Sequence, residues 1–301
     1  MTKEELVIRQ LKPGKYVIAV SGGVDSVTLL DIISKQEGIE LLVAHLDHGI
    51  RPDSKLDQKL VGDLAKNYGF KYETKSLMLG SNASEELARK ARYQFLFDVM
   101  KSNNAVAIIT AHHSDDVIET SIFNLLRGTG RKGVTSLRSS DKLIRPLLGV
   151  SKDQIRNYAS EHKLVWREDS TNIDLKYSRN QIRQKLAKES LKPALHKFKT
   201  QINKLSLTNK QLDREIDKLL TLMTKDHKLD RPQFIKLPHK LGLELMAHWL
   251  RQNGISSFDT KLLNKLVVAA KTYRQDSKFS INKTAHLLVK TKFLEIKTDQ
   301  N

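Results

Sequence analysis

The sequence predicts an α/β fold: a parallel sheet with helices on both faces, followed by a smaller helical or α+β C-terminal domain. Short β-branched apolar runs alternate with longer helical patterns through the first half, the rhythm of strand–helix–strand units whose sheet is buried on both sides. The first run ends abruptly in Ser21-Gly22-Gly23-Val24-Asp25-Ser26, and a helical pattern follows at once. From Lys197 the pattern changes to a long helical repeat and then to strand-like alternation, so the second part is built differently.

Taken in order, the expected strands are Tyr16–Val20, Glu40–Leu46, Lys71–Leu77 and Ala105–Thr110. The helices between them fall near Asp25–Gln36, Ser54–Tyr68, Ser84–Lys101 and Ser114–Arg127. Leu143–Leu148 reads as a short edge strand. Ser151 reads as the N-cap of a helix through Glu161. Residues Trp166–Tyr177 are polar and turn-rich, hence a loop. Phe198, Ile202, Leu205, Leu212, Ile216, Leu219 and Met223 recur at helical spacing and predict one amphipathic helix. Arg231-Pro232 and Pro238 mark breaks. Helices over Lys240–Gln252 and Asp259–Ala270 follow, then a small sheet from Lys278–Ile281, Ala285–Lys290 and Lys292–Ile296. The division into domains is 1–190, a helical connector 191–230, and 231–301.

The 301 residues suffice for two domains. No apolar run approaches the ~18 residues of a membrane span, and Met1 leads directly into a charged segment, so neither membrane insertion nor a signal peptide is expected. The chain has no cysteine, which excludes disulfides, thiolate catalysis, iron–sulfur clusters and cysteine zinc sites, and fits a cytoplasmic location. Lys plus Arg number 52 against 34 Asp plus Glu, a net charge of +18. Such an excess favours polyanions such as RNA; a lysine-rich solvated surface is the plainer account.

Two places concentrate chemistry. At the first strand–helix junction, the amides of a helix start point outward and the glycines let an anion approach the backbone. Ser21 and Ser26 add hydroxyl donors. Asp25 is a good magnesium ligand, since hard cations prefer carboxylate oxygen. The combination suits a nucleotide pyrophosphate with its metal, whereas Gly-Gly alone would suit an ordinary serine-capped turn. No Lys-Ser/Thr follows the glycines, so this is not a Walker loop, and it is not GxGxxG. The second place is Thr110–Gly130. On a helix His112 and Asp116 would be i,i+4 neighbours, and Asp116 and Glu119 i,i+3 neighbours, able to share one face. Clustered carboxylates there can hold a metal, an ammonium group, or both. A capped, solvated helix start is the bland alternative, and a hydrolase metal site leaves Ser21–Ser26 unexplained.

The string from Ser21 to Ser26 resembles the PP-loop of the N-type ATP pyrophosphatases, which split ATP between its α- and β-phosphates. With residues 45–51 (HLDHGIR), 86–93 (ELARKARY), 111–120 (AHHSDDVIET), 126–130 (LRGTG), 145–148 (RPLL), 169–172 (DSTN) and 179–183 (RNQIR), the ordered series is similar to that of the tRNA(Ile)-lysidine synthetase family, in its short form. The likeness covers roughly residues 16–185; nothing after residue 190 matches residue by residue.

This resemblance implies a Rossmann-like catalytic domain and an ATP-dependent ligase using Mg2+. Such an enzyme adenylates C2 of the wobble cytidine of tRNA(Ile) and joins free L-lysine there, giving lysidine, AMP and pyrophosphate. It implies ATP contacts from Ser21, Gly22, Gly23, Val24, Asp25, Ser26, Asp47 and His48, with magnesium on Asp25. Arg92 would serve ATP and the reaction centre, with Arg89 a nearby second candidate. Asp116 and Glu119, supported by His112, would hold the attacking amine and accept its proton. Arg127, Arg145, Arg179 and Arg183 would serve the lysine carboxylate or the RNA backbone, Arg127 placed with lysine and the other three with tRNA. The C-terminal domain would bind RNA. A homodimer is left open. The alternative is another synthetase of the same superfamily acting on a small carboxylate or urea-type substrate.

Overall fold

The computed structural model describes residues 8, 10–49, 54–80, 83–168, 182, 185, 186, 191–255 and 257–298, and every structural statement concerns these. The chain divides into two compact units, Met1–Leu205 and Ser206–Asn301.

The first unit is built on a five-stranded sheet of β1 (Gly14–Ala19), β2 (Ile39–Asp47), β3 (Lys71–Ser76), β4 (Ala107–Ile109) and β5 (Leu143–Ile144). Their order is β3-β2-β1-β4-β5 and every pairing is parallel. Successive residues of a strand face opposite sides, and here both sides are apolar. Tyr16, Ile18, Leu41, Val43, Ala107 and Ile109 join one core with side chains of α1 (Val24–Ser34), α2 (Ser54–Asn67) and α6 (Lys152–Glu161). Val17, Leu42, Ala44 and Ile108 join the other, with Phe95, Leu96 and Val99 of α3 (Glu85–Ser102). Strands buried on both faces favour apolar runs, as the central β1 and β4 show, while β3 (KYETKS) at the sheet's edge is mostly exposed.

Between β1 and β4 lies the point where strand order reverses: the chain leaves β1 to one side for β2 and β3, then returns to β1's other side. Loops at the carboxyl ends of these two strands diverge and leave a crevice. The turn 20–23 and α1 follow β1; residues 110–113 and α4 (Ser114–Leu126) follow β4.

The fifth strand is shorter than the expected Leu143–Leu148. Pro146 has no amide to donate to a ladder, and the chain turns into a 3-10 helix over Pro146–Gly149. A short helix, α5 (Arg131–Val134), was not expected.

The long helix, α7 (Lys192–Met223), lies within the helical connector expected over 191–230 and starts ahead of the compositional shift read at Lys197. Its last turns carry Ile216, Leu220 and Met223 into the core of the second unit, with Phe234, Trp249, Leu266, Leu287 and Leu294. That unit has an antiparallel sheet of order β6-β7-β10-β9-β8: β6 (Thr224–Lys225), β7 (Lys228–Asp230), β8 (Ser277–Ser280), β9 (Ala285–Val289) and β10 (Phe293–Thr298). The hairpin joining β6 and β7 was missed. Asp226 and His227 both take positive φ, 50° and 60°, as a two-residue type I′ turn requires, without the Asn-Gly that announces it. Pro232 opens a helix rather than breaking the chain. It lies in the first turn of α8 (Arg231–Lys236), where its missing amide costs nothing. Next come α9 (His239–Gln252) and α10 (Thr260–Thr272). Buried Arg231 donates to the carbonyls of Ala270 (2.9 Å), Lys290 (3.1 Å) and Tyr273 (2.5 Å), tying helix, turn and sheet together.

Candidate active site

The loop after β1 is shaped from within. Gly22 adopts φ +92°, a region side chains rarely enter. The Ser26 hydroxyl donates to the Gly23 carbonyl (2.9 Å), accepts from the Ser21 amide (3.1 Å) and meets the Ser21 hydroxyl (3.2 Å). The two serines therefore hold the loop closed as well as offering hydroxyls. Gly23 is the N-cap of α1 and supplies no side-chain cap, so the first amides of that helix are left for an anion. From below, the Arg167 amide donates to the Gly22 carbonyl (3.0 Å), and its guanidinium donates to buried Asp57 of α2 (2.8 Å).

Asp25, in the first turn of α1, faces the start of α4. His113 is the N-cap of α4, its Nδ1 accepting from the Asp115 amide (3.3 Å), while the Asp116 carboxylate accepts from the His113 amide (2.9 Å). That capping box fixes the ring, and its Nε2 stands 3.8 Å from Asp25 and 3.6 Å from Asp116. The two strand–helix junctions thus meet on one imidazole. Glu119, one turn on, is buried on the same helix.

The helix starts at Ser114, as expected, so His112 precedes it and does not share a helix face with Asp116 as the i,i+4 spacing suggested. The His112 Nδ1 pairs with the Thr110 hydroxyl (2.9 Å). Burial pushes its pKa down, helped by Arg145, Arg89, Arg92 and His113, to about 3, so the ring is neutral. His113 takes the place among the carboxylates that was expected of His112. Two histidines side by side in the sequence give no hint of which becomes the cap.

Asp47 ends β2, buried, and accepts from the Gly49 amide (2.8 Å). Arg92 of α3 reaches His48 Nε2, with Nε at 3.4 Å. Burial and the Arg92 charge lower the His48 pKa to about 4. Arg145, only 8% exposed, donates to the Arg138 carbonyl and the Tyr93 hydroxyl (3.3 Å). Its Nε and the Nδ1 of His48 are buried without a hydrogen-bond partner among the described residues, polar atoms that a bound molecule would satisfy. Arg127 is exposed and stacks on Phe123 at the end of α4. Arg179 and Arg183 lie outside the described residues, as do Asp169–Asn172 and most of the loop expected over Trp166–Tyr177.

Sequence reasoning passed over Lys152 entirely. It stands in the first turn of α6, and its ammonium donates to both oxygens of Asp25 at 2.6 Å. The donor set suits magnesium only in company. Among the described residues no three His, Cys, Asp or Glu side chains form a metal cage. One or two carboxylates plus phosphate oxygens are what magnesium commonly takes, and Asp25 beside an uncapped helix start provides that.

Residues 2–190 match the PP-loop domain family. Over 291 residues the chain is 32% identical to a tRNA(Ile)-lysidine synthase of Lactiplantibacillus plantarum, covering 89% of this chain and 64% of that one. Over 186 residues it is 40% identical to a tRNA(Ile)-lysidine synthase of Thermus thermophilus, covering 60% of this chain and 36% of that one. The chain thus spans less than two thirds of the length of these relatives. In fold it resembles the U34-tRNA thiolase NcsA of Methanococcus maripaludis, with a TM-score of 0.54 at 16% identity, over 67% of this chain and 73% of that one. With the match covering more than half its length, and the parallel sheet and glycine loop in place, the chain belongs to the PP-loop family.

Proposed function

We propose that this chain is an ATP-dependent RNA-modifying ligase that joins free L-lysine to C2 of the wobble cytidine, position 34, of a tRNA(Ile) with a CAU anticodon. The observation that carries the reading is the meeting of Asp25 and Asp116 on His113, which sets a phosphate loop beside an acidic helix start. The PP-loop family supplies the use of ATP. The relatives named tRNA(Ile)-lysidine synthase supply the substrate class.

In the first step the cytidine O2 bonds to Pα of ATP. The bond from Pα to the α,β-bridging oxygen breaks, and its electron pair leaves with pyrophosphate. The loop from Ser21 to Ser26 cradles the departing oxygens, Asp47 and His48 border the nucleotide, and Arg92 faces the reaction centre from α3. Magnesium held by Asp25 would neutralise charge on the phosphates.

In the second step the ε-amine of lysine bonds to C2, and the C2–O bond breaks with its electrons going to AMP. The amine arrives as an ammonium and must shed a proton. The carboxylates of Asp116 and Glu119 are placed to take it, and His112, kept neutral by burial and the nearby arginines, stands by as a neutral polar group. Arg145 is too buried for an RNA backbone on the surface, so we place it at the reaction centre, with Arg127 left for the lysine carboxylate. Arg179 and Arg183 remain proposals for tRNA, as does the basic second unit. The setting is cytoplasmic; no described helix is long and apolar enough to cross a membrane.

The test is mass spectrometry of the tRNA(Ile) transcript after incubation with ATP, magnesium and lysine. The expected product gains one lysine less one water. Pyrophosphate release driven by a small acid or by glutamine, with the RNA unchanged, would point to a different synthetase.

A further inference from the structure

We propose that Lys152 is the cation this chain brings to the departing pyrophosphate, parked on Asp25 until a nucleotide binds. The inference rests on the ATP reading above. Splitting ATP at Pα builds negative charge on the pyrophosphate oxygens, and preorganised cations aimed at that charge are the usual way to stabilise it. The glycine loop has none of its own: from Ser21 through Ser34 there is no Lys or Arg. A cation must come from elsewhere in the fold, and the ammonium that reaches the loop's own carboxylate is that of Lys152, 127 residues away in sequence.

Lys152 is delivered by a rigid mount. It opens α6 behind a capping box, Ser151 accepting from the Gln154 amide (3.2 Å) while Gln154 Oε1 accepts from the Ser151 amide (3.0 Å). Ile155 and Ala159 of the same helix are fully buried in the sheet's core. The carbonyl of Val150, just before the capping Ser151, accepts from the Ser114 amide (2.9 Å), so this segment is also tied to the start of α4. The pair itself is not a core ion pair, because both side chains keep about a third of their surface exposed, 31% and 28%. It is therefore open to exchange.

One ammonium occupies both oxygens of Asp25. Were Asp25 to hold magnesium on the phosphates, Lys152 would be released toward the adjacent anion, the polyphosphate. In the empty enzyme the same ammonium cancels the Asp25 charge, which would otherwise repel the incoming phosphates. During adenylation Lys152 keeps its proton and donates hydrogen bonds to the pyrophosphate as the bridging oxygen takes the electron pair from Pα. In contacting the leaving group it acts as a catalytic residue.

The experiment compares wild type, Lys152→Met and Lys152→Arg as full chains in calorimetric titrations with ATP, pyrophosphate and AMP, magnesium in excess. Charge-assisted hydrogen bonds of the usual strength predict that Lys152→Met binds ATP and pyrophosphate about 10- to 100-fold more weakly. AMP affinity should stay within about 2-fold, and Lys152→Arg should recover most of the loss. AMP binding also reports that each variant is folded; should the Met variant fail to fold, Lys152→Gln is read the same way. Equal loss for AMP and ATP, or no loss for either, overturns the proposal. Failure of the wild type to bind ATP overturns the ATP reading beneath it, and is told apart by needing no variant.

Discussion

At the scale of single residues, the site divides into groups that touch charge and groups that hold them still. Asp25 is of the first kind. Asp25→Asn removes the carboxylate that holds Lys152 and is proposed to hold magnesium, and pyrophosphate release should fall about 100-fold or more, the usual cost of losing a preorganised electrostatic partner. Steady-state release assays decide it, and near-normal activity removes Asp25 from the metal role. If Glu119, a buried carboxylate on α4, serves the amine as proposed, Glu119→Gln should raise KM for lysine well above any change in KM for ATP. Gly49 is of the second kind. It has φ +63°, and a Cβ there would lie 2.1 Å from the Leu77 carbonyl. Gly49→Ala should lose about 2–4 kcal/mol from left-handed strain and crowding together, visible in thermal melts, and should displace His48 beside it. The serines, glycines and acids of the site were legible because short motifs name them. Lys152 and His113 were not, since a lysine after a capping serine and the second of two histidines look ordinary until the fold places them.

At the scale of elements, strand and helix existence was legible wherever apolar periodicity is strong. All five strands expected in the first half, Leu143–Leu148 included, are present, and their ends shift by a few residues. What escaped notice was short and held by tertiary contacts. The β6–β7 hairpin turns on Asp226-His227, and α5 is four residues long. Neither length carries a period. Helix α6 offers a direct test. Ser151→Ala removes one half of its capping box and should cost about 1 kcal/mol in urea denaturation, while Ser151→Asp should retain most of it. The alanine variant should also weaken ATP binding, because the first turn it loosens carries Lys152. Elsewhere the same helix is fastened to α1 through Tyr158, whose hydroxyl donates to Asp31 (2.7 Å) beside Lys35 and Tyr68. Burial alone would raise the Asp31 pKa, but these three hydrogen bonds outweigh it and leave the value lowered.

At the scale of the molecule, these titrations fix how stability answers to pH. A histidine whose folded pKa lies below its unfolded value takes up protons more readily when unfolded. His48 at about 4 and His112 at about 3, against 6.5 for the free side chain, therefore remove stability as pH falls below about 6.5. Asp31 adds loss at lower pH, as it falls through its unfolded value of 3.8 toward the lowered folded one. Melting temperature should decline from pH 7 to pH 4, and His112→Asn should show a shallower decline than wild type over that interval. The net charge of +18 makes a second expectation: tRNA affinity should fall steeply and log-linearly with salt, measured by filter binding between low and physiological ionic strength. Charge and composition favoured a polyanionic partner such as RNA. Which arginines would meet it was not legible, because charge alone does not reveal depth, and Arg145 proves to be buried.

The Gly22 carbonyl, held by the backbone of Arg167, has a consequence for shorter versions of this chain. The glycine signature and the acidic signature both lie before residue 131, so a truncated copy ending there would keep both while losing the later motifs from Arg145 onward. It would lack the strut beneath the glycines and the ammonium opposite their carboxylate. A scan for those two strings alone would pass such a remnant, yet it would have the vocabulary of a nucleotide site without its grammar.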